Sequence, residues 1–466
     1  MLQWASSGAA LRRGAGKAQG LWRATPYAGC SRHRIGSSDV LSDAEPVKSP
    51  TRAARYGFAR VVGNPPWLRA EEIPADQRLR LADRYRWWRG GSGFGNRPDL
   101  SVAFLERAHE LVKQGGIVAL LVPAKLASAS YGTAARHALA AMATLVTVAD
   151  LTDDRDAAFD ATVYPLAIIA RRAVPPRGHG VQTTLPACKR AVVPQSGLQS
   201  GGPWILTGGH ARRVLAALSR EYPLLRDSVT CHLGLKTGAN SLFLNPPETV
   251  EANLVRHAVR GRDVAPFRVR SCVRLLFTHR ADGAPLERLP TGAAAHLAAH
   301  LEVLRARSDF AGGAPWTLFR ARAATCDHRV IWADLARKLA AAALTARDDR
   351  DLIPLNTCYV AVLESKAEAD RLASWLNCIW IRVAARARAV PAASGFARFA
   401  ASTIGGLPLP HRVLGDSALD RIAIAARGGK QVQNELDDLT ADLLGLSAPE
   451  QGALRSLVGS RPASHG

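Results

Sequence analysis

The 466-residue sequence lacks the features that mark membrane or disulfide-bonded proteins. It has no run of about 18 apolar residues, which argues against a membrane span. Its seven cysteines are scattered without a C-x-x-C pair, which argues against a zinc ribbon or a disulfide framework. We therefore expect a protein of the reducing cytoplasm that does not associate with a membrane.

Several catalytic patterns are also missing. The 13 histidines show no H-E-x-x-H spacing, so neither a zinc hydrolase nor any other metal site is predicted. The sequence contains no phosphate-loop lysine pattern, which argues against an ATP-driven motor, and no P-D-x(n)-E-x-K nuclease pattern. Whether a linked nuclease exists stays open.

Charge is unevenly distributed. The chain has 61 Lys and Arg against 39 Asp and Glu, a net charge of +22, which favours a polyanionic partner such as nucleic acid or an anionic membrane surface. A GC-rich genome would also raise the arginine content, so we give this signal reduced weight. Residues 1–38 contain no acid, as in a transit peptide. Instead of a transit peptide, we expect residues 1–55 to be a disordered or misassigned N-terminus.

Apolar periodicity predicts an α/β organisation downstream. We expect strands at "FARVVGN", "IVALLVP", "LVTVADL" and "TVYPLAIIARR", with helices between them in a parallel sheet that ends in a strand pair. Residues 68–98 are predicted to be a long loop with at most one helical turn. The next helix is expected to begin at Asp99 and end at Gly115–Gly116. A single helix is predicted over 368–387.

The stretch "NPPW", residues 64–67, follows the first of these strands. In open α/β sheets, ligands bind at the carboxyl ends of the strands. The Asn64 side-chain oxygen and the Pro65 carbonyl can each accept a hydrogen bond from one N–H group of an exocyclic amine on a nucleobase. These two hydrogen bonds would free the lone pair of the amine nitrogen for attack. Pro66 restrains the residue before it, and a flipped-out base can stack on Trp67.

These four residues match the Asn/Asp-Pro-Pro-aromatic motif of DNA amino-methyltransferases. Residues 99–139 resemble the segment that follows this motif in adenine-specific methyltransferases, and residues 159–172 resemble the last strands of their catalytic domain. The segments "GLKTGANSLFL", "RHAVRGRDVAPF", "RVIWADL" and "PLNTCYV" are similar to the target-recognition region of large restriction-linked methyltransferases.

This resemblance implies transfer of a methyl group from S-adenosylmethionine to adenine N6 in double-stranded DNA, within a restriction-modification system. It assigns catalytic roles to Asn64, Pro65, Pro66 and Trp67. The implied fold is a partial Rossmann-like methyltransferase sheet, an α+β target-recognition domain and a helical C-terminal tail. The expected boundaries are 1–55 for the N-terminus, 56–174 for the catalytic half, 175–202 for a linker, 203–412 for target recognition and 413–466 for the tail.

The cofactor-binding half expected before this motif is not recognisable. Only 63 residues precede Asn64, and they contain no apolar strand followed by a glycine-rich turn and an acid. No cofactor-binding residue can be named. Either the chain is truncated, which we favour, or a separate chain supplies the missing half. In both cases the strand before Asn64 is expected to be an exposed sheet edge.

Candidate DNA contacts lie in two polar turns. Lys236, Thr237 and Asn240 suit phosphate or base-edge contacts, with a purely structural turn as the alternative. Arg260 and Arg262 suit phosphate contacts, with a solvated ion pair as the alternative. The tryptophans at 87 and 88 can either line a nucleic-acid cleft or pack in the core. We expect them to pack in the core.

Two further functions stay open. The chain can act as a non-catalytic DNA-binding specificity module or subunit. Similar Asn-Pro-Pro-aromatic sites also methylate RNA adenine and protein glutamine, although the long C-terminal region favours DNA by analogy.

Overall fold

The computed structural model describes residues 22–25, 33–35, 57–89, 97–151, 164–185, 189–280, 282–345, 351–392 and 395–458. The chain divides into two compact units. The first comprises 1–149, 165–182 and 194–202, and the second comprises 150–164, 183–193 and 203–466. Apart from two short strands, the predicted disordered N-terminus lies outside the described residues.

The first unit is built on one sheet flanked by helices. Its strands and longer helices are β1 (Trp22–Thr25), β2 (His33–Ile35), β3 (Phe58–Gly63), α1 (Ala75–Arg84), α2 (Ser101–Leu111), β4 (Val112–Pro123), α3 (Thr133–Met142), β5 (Thr144–Asp150), β6 (Pro165–Arg171) and β7 (Gly180–Leu185). In the described residues the sheet has the strand order β2-β1-β3-β4-β6-β5-β7-β8, where β8 is Lys189–Pro194. The last of these strands lies within the stretch assigned to a linker.

The sheet is mixed rather than parallel. β3 and β4 run parallel, with Val62 opposite Ala119, whereas β4 and β6 run antiparallel, with Leu120 opposite Ile168. The predicted α/β class is confirmed. The expectation that β3 is an edge strand is wrong, because β1 pairs antiparallel with its other side.

Two local predictions also need correction. α1 occupies ten residues of the stretch predicted to be a loop. α2 ends at Leu111, because the next residue, Val112, already has extended backbone angles. Gly115, expected to end this helix, instead lies in β4 at φ 78°, which favours glycine. Its amide donates to the Arg172 carbonyl at 2.7 Å.

The second unit contains several small sheets and helices. Its strands and helices are β8 (Lys189–Pro194), α4 (Gly209–Glu221), α5 (Leu225–Ser228), β9 (Cys231–Leu233), α6 (Asn240–Phe243), β10 (Val255–Val259), β11 (Val264–Ala265), β12 (Arg268–Val269), β13 (Val273–Leu276), α7 (Thr291–Ala298), α8 (Leu301–Arg305), α9 (Ala321–Ala324), β14 (Arg329–Ala333), β15 (Leu335–Ala336), β16 (Ala341–Leu344), β17 (Leu352–Pro354), β18 (Cys358–Val362), α10 (Lys366–Asn377), α11 (Ile379–Arg388), β19 (Val390–Pro391), β20 (Ala397–Arg398), α12 (Ala401–Gly405), α13 (Ser417–Arg427), α14 (Gln433–Leu443) and α15 (Ala448–Arg455).

Tryptophans fill the core of this unit. Trp332 on β14, Trp375 on α10 and Trp380 on α11 are fully buried. Their indole N–H groups each donate to a backbone carbonyl, as buried tryptophans usually require. The single helix predicted over 368–387 is wrong, because extended backbone at Cys378 separates α10 from α11. The Asp437 carboxylate then accepts the freed Ile379 amide at 2.8 Å.

The last three helices contribute to the same core. Leu419, Leu436 and Leu454 from α13, α14 and α15 are fully buried there. The region predicted as a helical tail is helical, and its apolar faces belong to the second unit. Within the described ranges, every helix is too short or too polar to span a bilayer.

Candidate functional site

The loop carrying the "NPPW" motif begins directly after β3. Asn64 is exposed, Pro65 is buried, and Pro66 and Trp67 are partly exposed. The Trp67 indole N–H donates to the Leu121 carbonyl of β4 at 3.2 Å. The motif is therefore held against the neighbouring parallel strand, while the Asn64 side chain stays accessible.

The head of α2 holds the other end of this loop. The Leu100 amide donates to the Leu68 carbonyl at 2.8 Å. Asp99 is 9% exposed, and its Oδ1 accepts the Ser101 amide at 3.0 Å. The N-cap of α2 is Leu100, so the prediction that Asp99 caps this helix is wrong. Burial raises the pKa of Asp99 to about 6, and the charge of Lys125 partly opposes this change.

The segment after β4 brings further ionisable groups to the same edge of the sheet. Lys125 and Tyr131 lie in the two short turns between β4 and α3. Burial, followed by the charge of Asp99, raises the pKa of the Tyr131 phenol. The buried Arg136 of α3 donates to the carbonyls of Leu126 at 2.8 Å and Ala129 at 2.7 Å, which fixes this segment.

Sequence reasoning found the motif but missed the groups that support it. Asn64 to Trp67 are consecutive, so their spacing could be read directly. Lys125, Tyr131 and Arg136 come from separate turns and a helix, and no local pattern links them to the motif. An arginine within the apolar pattern of α3 was the available signal for a buried side chain.

The described residues before Asn64 do not fit the S-adenosylmethionine that the resemblance implies. A ribose-binding acid would follow a parallel strand on the side of β3 away from β4. β1 occupies that side and runs antiparallel, so its carboxyl end lies at the opposite edge. Residues 22–25, 33–35 and 57–63 contain no carboxylate. Cofactor-binding residues therefore stay unassigned.

In the second unit, side-chain contacts stabilise the turn that contains Lys236, Thr237 and Asn240. Lys236 Nζ contacts Asp309 Oδ1 at 2.8 Å, and both side chains are partly exposed. Thr237 is 1% exposed, and its hydroxyl donates to Asn240 Oδ1 at 2.6 Å. Asn240 is exposed. Thus Lys236 and Asn240 lie at the surface, with Thr237 beneath them.

A buried arginine supports this turn. Arg307 is 7% exposed and donates to the carbonyls of Thr237 and Pro315. Its guanidinium lies over the Phe319 ring, 4.6 Å from the centroid. Gly238 has φ 69°, and a Cβ there would lie 2.8 Å from Arg307 Cδ. The glycine therefore permits both the turn and the close approach of the arginine.

Arg260 and Arg262 differ in their surroundings. Arg260 Nε contacts Asp263 Oδ2 at 2.9 Å, and Asp263 also accepts the Ser271 hydroxyl at 2.7 Å. Desolvation raises the pKa of Asp263, but these bonds outweigh it and the net pKa is lowered. Arg262 is exposed. The predicted local ion pair is present at Arg260, and Arg262 projects a cation outward.

The remaining candidates are structural. Trp87 and Trp88 are buried at 6% and 4% exposure, as predicted for core residues. Glu106 accepts the backbone amides of Arg86 and Trp87, which fixes their turn. Among the described residues, no group of three or more His, Cys, Asp or Glu side chains is placed to hold a metal ion.

Comparison with known proteins shows what parts of this chain are similar to. Residues 33–157, which include the motif loop and its supporting turns, match the family described as Eco57I restriction-modification methylase. The Type IIL restriction-modification enzyme MmeI, solved in complex with DNA, shares the fold. The TM-score is 0.55 at 13% identity, over 87% of this chain and 55% of that chain.

Individual relatives are Type II methyltransferases. M.BstVI of Geobacillus stearothermophilus is 23% identical over 248 residues, which is 47% of this chain and 43% of that protein. M.XhoI of Xanthomonas vasicola is 24% identical over 218 residues, which is 42% of this chain and 39% of that protein. The alignments therefore cover less than half the length of these relatives. Methyl transfer is the activity that they have in common by name.

Proposed function

We propose that this chain carries the acceptor-binding and DNA-recognition parts of a site-specific DNA methyltransferase of a restriction-modification system. The acceptor is adenine N6, and the proposed donor is S-adenosylmethionine. The observation that supports this most directly is the Asn64-Pro65 pair at the carboxyl end of β3, inside the segment similar to Eco57I methylases.

In this proposal the motif orients and activates the amine. The side-chain oxygen of the exposed Asn64 accepts a hydrogen bond from one N–H of the flipped-out adenine amine, and the Pro65 carbonyl accepts a hydrogen bond from the other. Two acceptors favour a tetrahedral nitrogen, whose lone pair is available for attack. Trp67, anchored through its indole N–H, offers a ring for base stacking. Pro66 restricts the backbone that aims the Pro65 carbonyl.

The second unit recognises DNA in this proposal. Lys236 and Asn240 reach phosphate or base edges, and the buried Thr237 orients the Asn240 amide from below. Arg262 contacts phosphate, while Arg260 holds its turn through Asp263. A separate chain that supplies a cofactor half is one proposed partner.

The test is methyl transfer by the full chain, alone and with candidate partner chains, to phage DNA that contains many short sequences. Mass spectrometry of digested nucleosides distinguishes N6-methyladenine from N4-methylcytosine. Asn64→Ala should lower N6-methyladenine formation by about 100-fold, the cost typical of losing one preorganised polar contact in an active site. The exposed Asn253→Ala is the matched control. An unchanged rate in Asn64→Ala would refute the assigned role of the motif.

A non-catalytic DNA-specificity module is the second candidate, favoured by the poor fit of the cofactor to the described residues. Sequence-selective DNA binding without methyl transfer under any partner condition would support this candidate. Such binding should weaken steeply with salt.

A further inference from the structure

The β11–β12 hairpin presents exposed arginines. Arg268 and Arg270 are exposed, whereas Val269 between them packs against the buried cluster that contains Val264. Side chains alternate along extended backbone, so the two arginines point to the side away from that cluster. The Phe267 residue before them has φ 65°, which tightens the hairpin.

A third arginine lies beside these two. The Arg270 amide donates to the Asp263 carbonyl at 2.8 Å, which brings Arg270 next to the turn carrying the exposed Arg262. β15 packs against this same turn. The three arginines therefore share one part of the surface of the second unit.

Two more cations extend this surface. Arg337 and Lys338 are exposed and lie between β15 and β16. The Phe267 amide donates to the Ala341 carbonyl at 2.8 Å, which ties the hairpin to β16. Lys338 is three residues from Ala341, a reach of at most about 11 Å. We call Arg262, Arg268, Arg270, Arg337 and Lys338 the basic ridge.

Nearby acids do not neutralise the ridge. Asp263 is 6% exposed and is paired with Arg260. Asp334 is paired with Arg398. Among the described residues, no carboxylate lies within ion-pair distance of any ridge side chain. Five cations thus share one surface without a local counter-charge.

We infer that the basic ridge is a docking surface for the sugar–phosphate backbone of double-stranded DNA. This inference rests on the proposed function, and it adds a phosphate-contact site to the base-reading turn at 236–240. One DNA strand places a charge about every 3.4 Å along the axis, so a cluster of neighbouring cations suits consecutive phosphates of one strand. Arginine forks suit phosphate oxygens.

The experiment measures binding of the full chain to duplex DNA as a function of salt. The ridge variant is Arg268→Gln, Arg270→Gln, Arg337→Gln and Lys338→Gln combined. The control variant combines Arg213→Gln, Lys366→Gln, Arg421→Gln and Lys430→Gln, exposed cations of the same unit with the same total charge change. An Arg268→Gln, Arg270→Gln double variant, with thermal unfolding measured for all proteins, separates lost binding from lost folding.

The ridge variant should lower the slope of log affinity against log salt by about 3 to 4 and weaken binding by tenfold or more near 0.1 M salt. Phosphate contacts carry no sequence information, so the loss should be equal on unrelated duplexes. The double variant should lose about half of the slope change. The control variant should retain most of the wild-type slope.

Equal slopes in wild-type and ridge variants, or equal losses in ridge and control variants, would overturn the inference while leaving DNA binding intact. Wild-type protein that binds no DNA at low salt would instead overturn the proposed function together with the inference. Ridge-dependent binding to phosphatidylserine vesicles but not to DNA would assign the ridge to a membrane surface and also overturn it.

Discussion

Asp99 shows how burial changes a single residue. Its pKa is raised from 3.8 to about 6 by burial at the head of α2. Between these values the folded protein retains a proton that the unfolded chain has released. The contribution of Asp99 to folding stability is therefore greatest at low pH. It falls as the pH rises through about 4 to 6.

Asp99→Asn should remove this pH dependence, because the amide stays neutral and its oxygen can still accept the Ser101 amide. Relative to wild type, the variant should gain about 2 kcal/mol of unfolding free energy between pH 4 and pH 7.5. Urea unfolding at both pH values measures the difference. Asp83→Asn, at a side chain that is 95% exposed, is the control. A constant difference between wild type and Asp99→Asn at the two pH values would contradict the prediction.

At the scale of elements, the turn before α6 depends on close packing between backbone and side chain. Gly238→Ala should displace Arg307, whose Cδ would lie 2.8 Å from the new Cβ. Gly209 has nearly the same φ, 67°, but nothing lies within 4 Å of a Cβ there. Gly209→Ala therefore carries the backbone strain without the clash.

We expect Gly238→Ala to cost at least 1 kcal/mol more unfolding free energy than Gly209→Ala, about the scale of overpacking in a filled site. It should also weaken selective DNA binding through the turn at 236–240. Urea unfolding and competition binding measure the two effects. Equal costs for the two substitutions would show that Arg307 moves aside freely.

At the scale of the whole molecule, the proposed acceptor site and the basic surfaces are not accompanied by a fitting cofactor site in the described residues before Asn64. We expect the full chain alone to bind S-adenosylmethionine with a Kd above about 1 mM, which corresponds to a binding free energy of less than about 4 kcal/mol in magnitude. Isothermal titration calorimetry measures this, with S-adenosylhomocysteine as a second ligand. Micromolar binding by the full chain would place the cofactor site in residues that we have not assigned.

The sequence by itself determined the elements whose signals are local. The continuous apolar runs of β3 and β4 specified strands, and the recurrence of apolar residues three or four positions apart in α2 specified a helix, because burial on one or both faces requires those patterns. Asn64, Pro65, Pro66 and Trp67 were also readable, since the proposed chemistry needs consecutive residues in a fixed backbone geometry. The α/β class followed from these elements, whereas the mixed strand directions did not.

Only the tertiary structure decided what depends on distant partners. β1 covers the side of β3 that the sequence left as an edge, and strand pairing cannot be read from either strand alone. Extended backbone at Cys378 splits an apolar pattern that is continuous in sequence. Asp99, Lys125 and Tyr131 meet beside the motif only because parallel strands end at one edge of the sheet, and Arg307 reaches its turn from about 70 residues away.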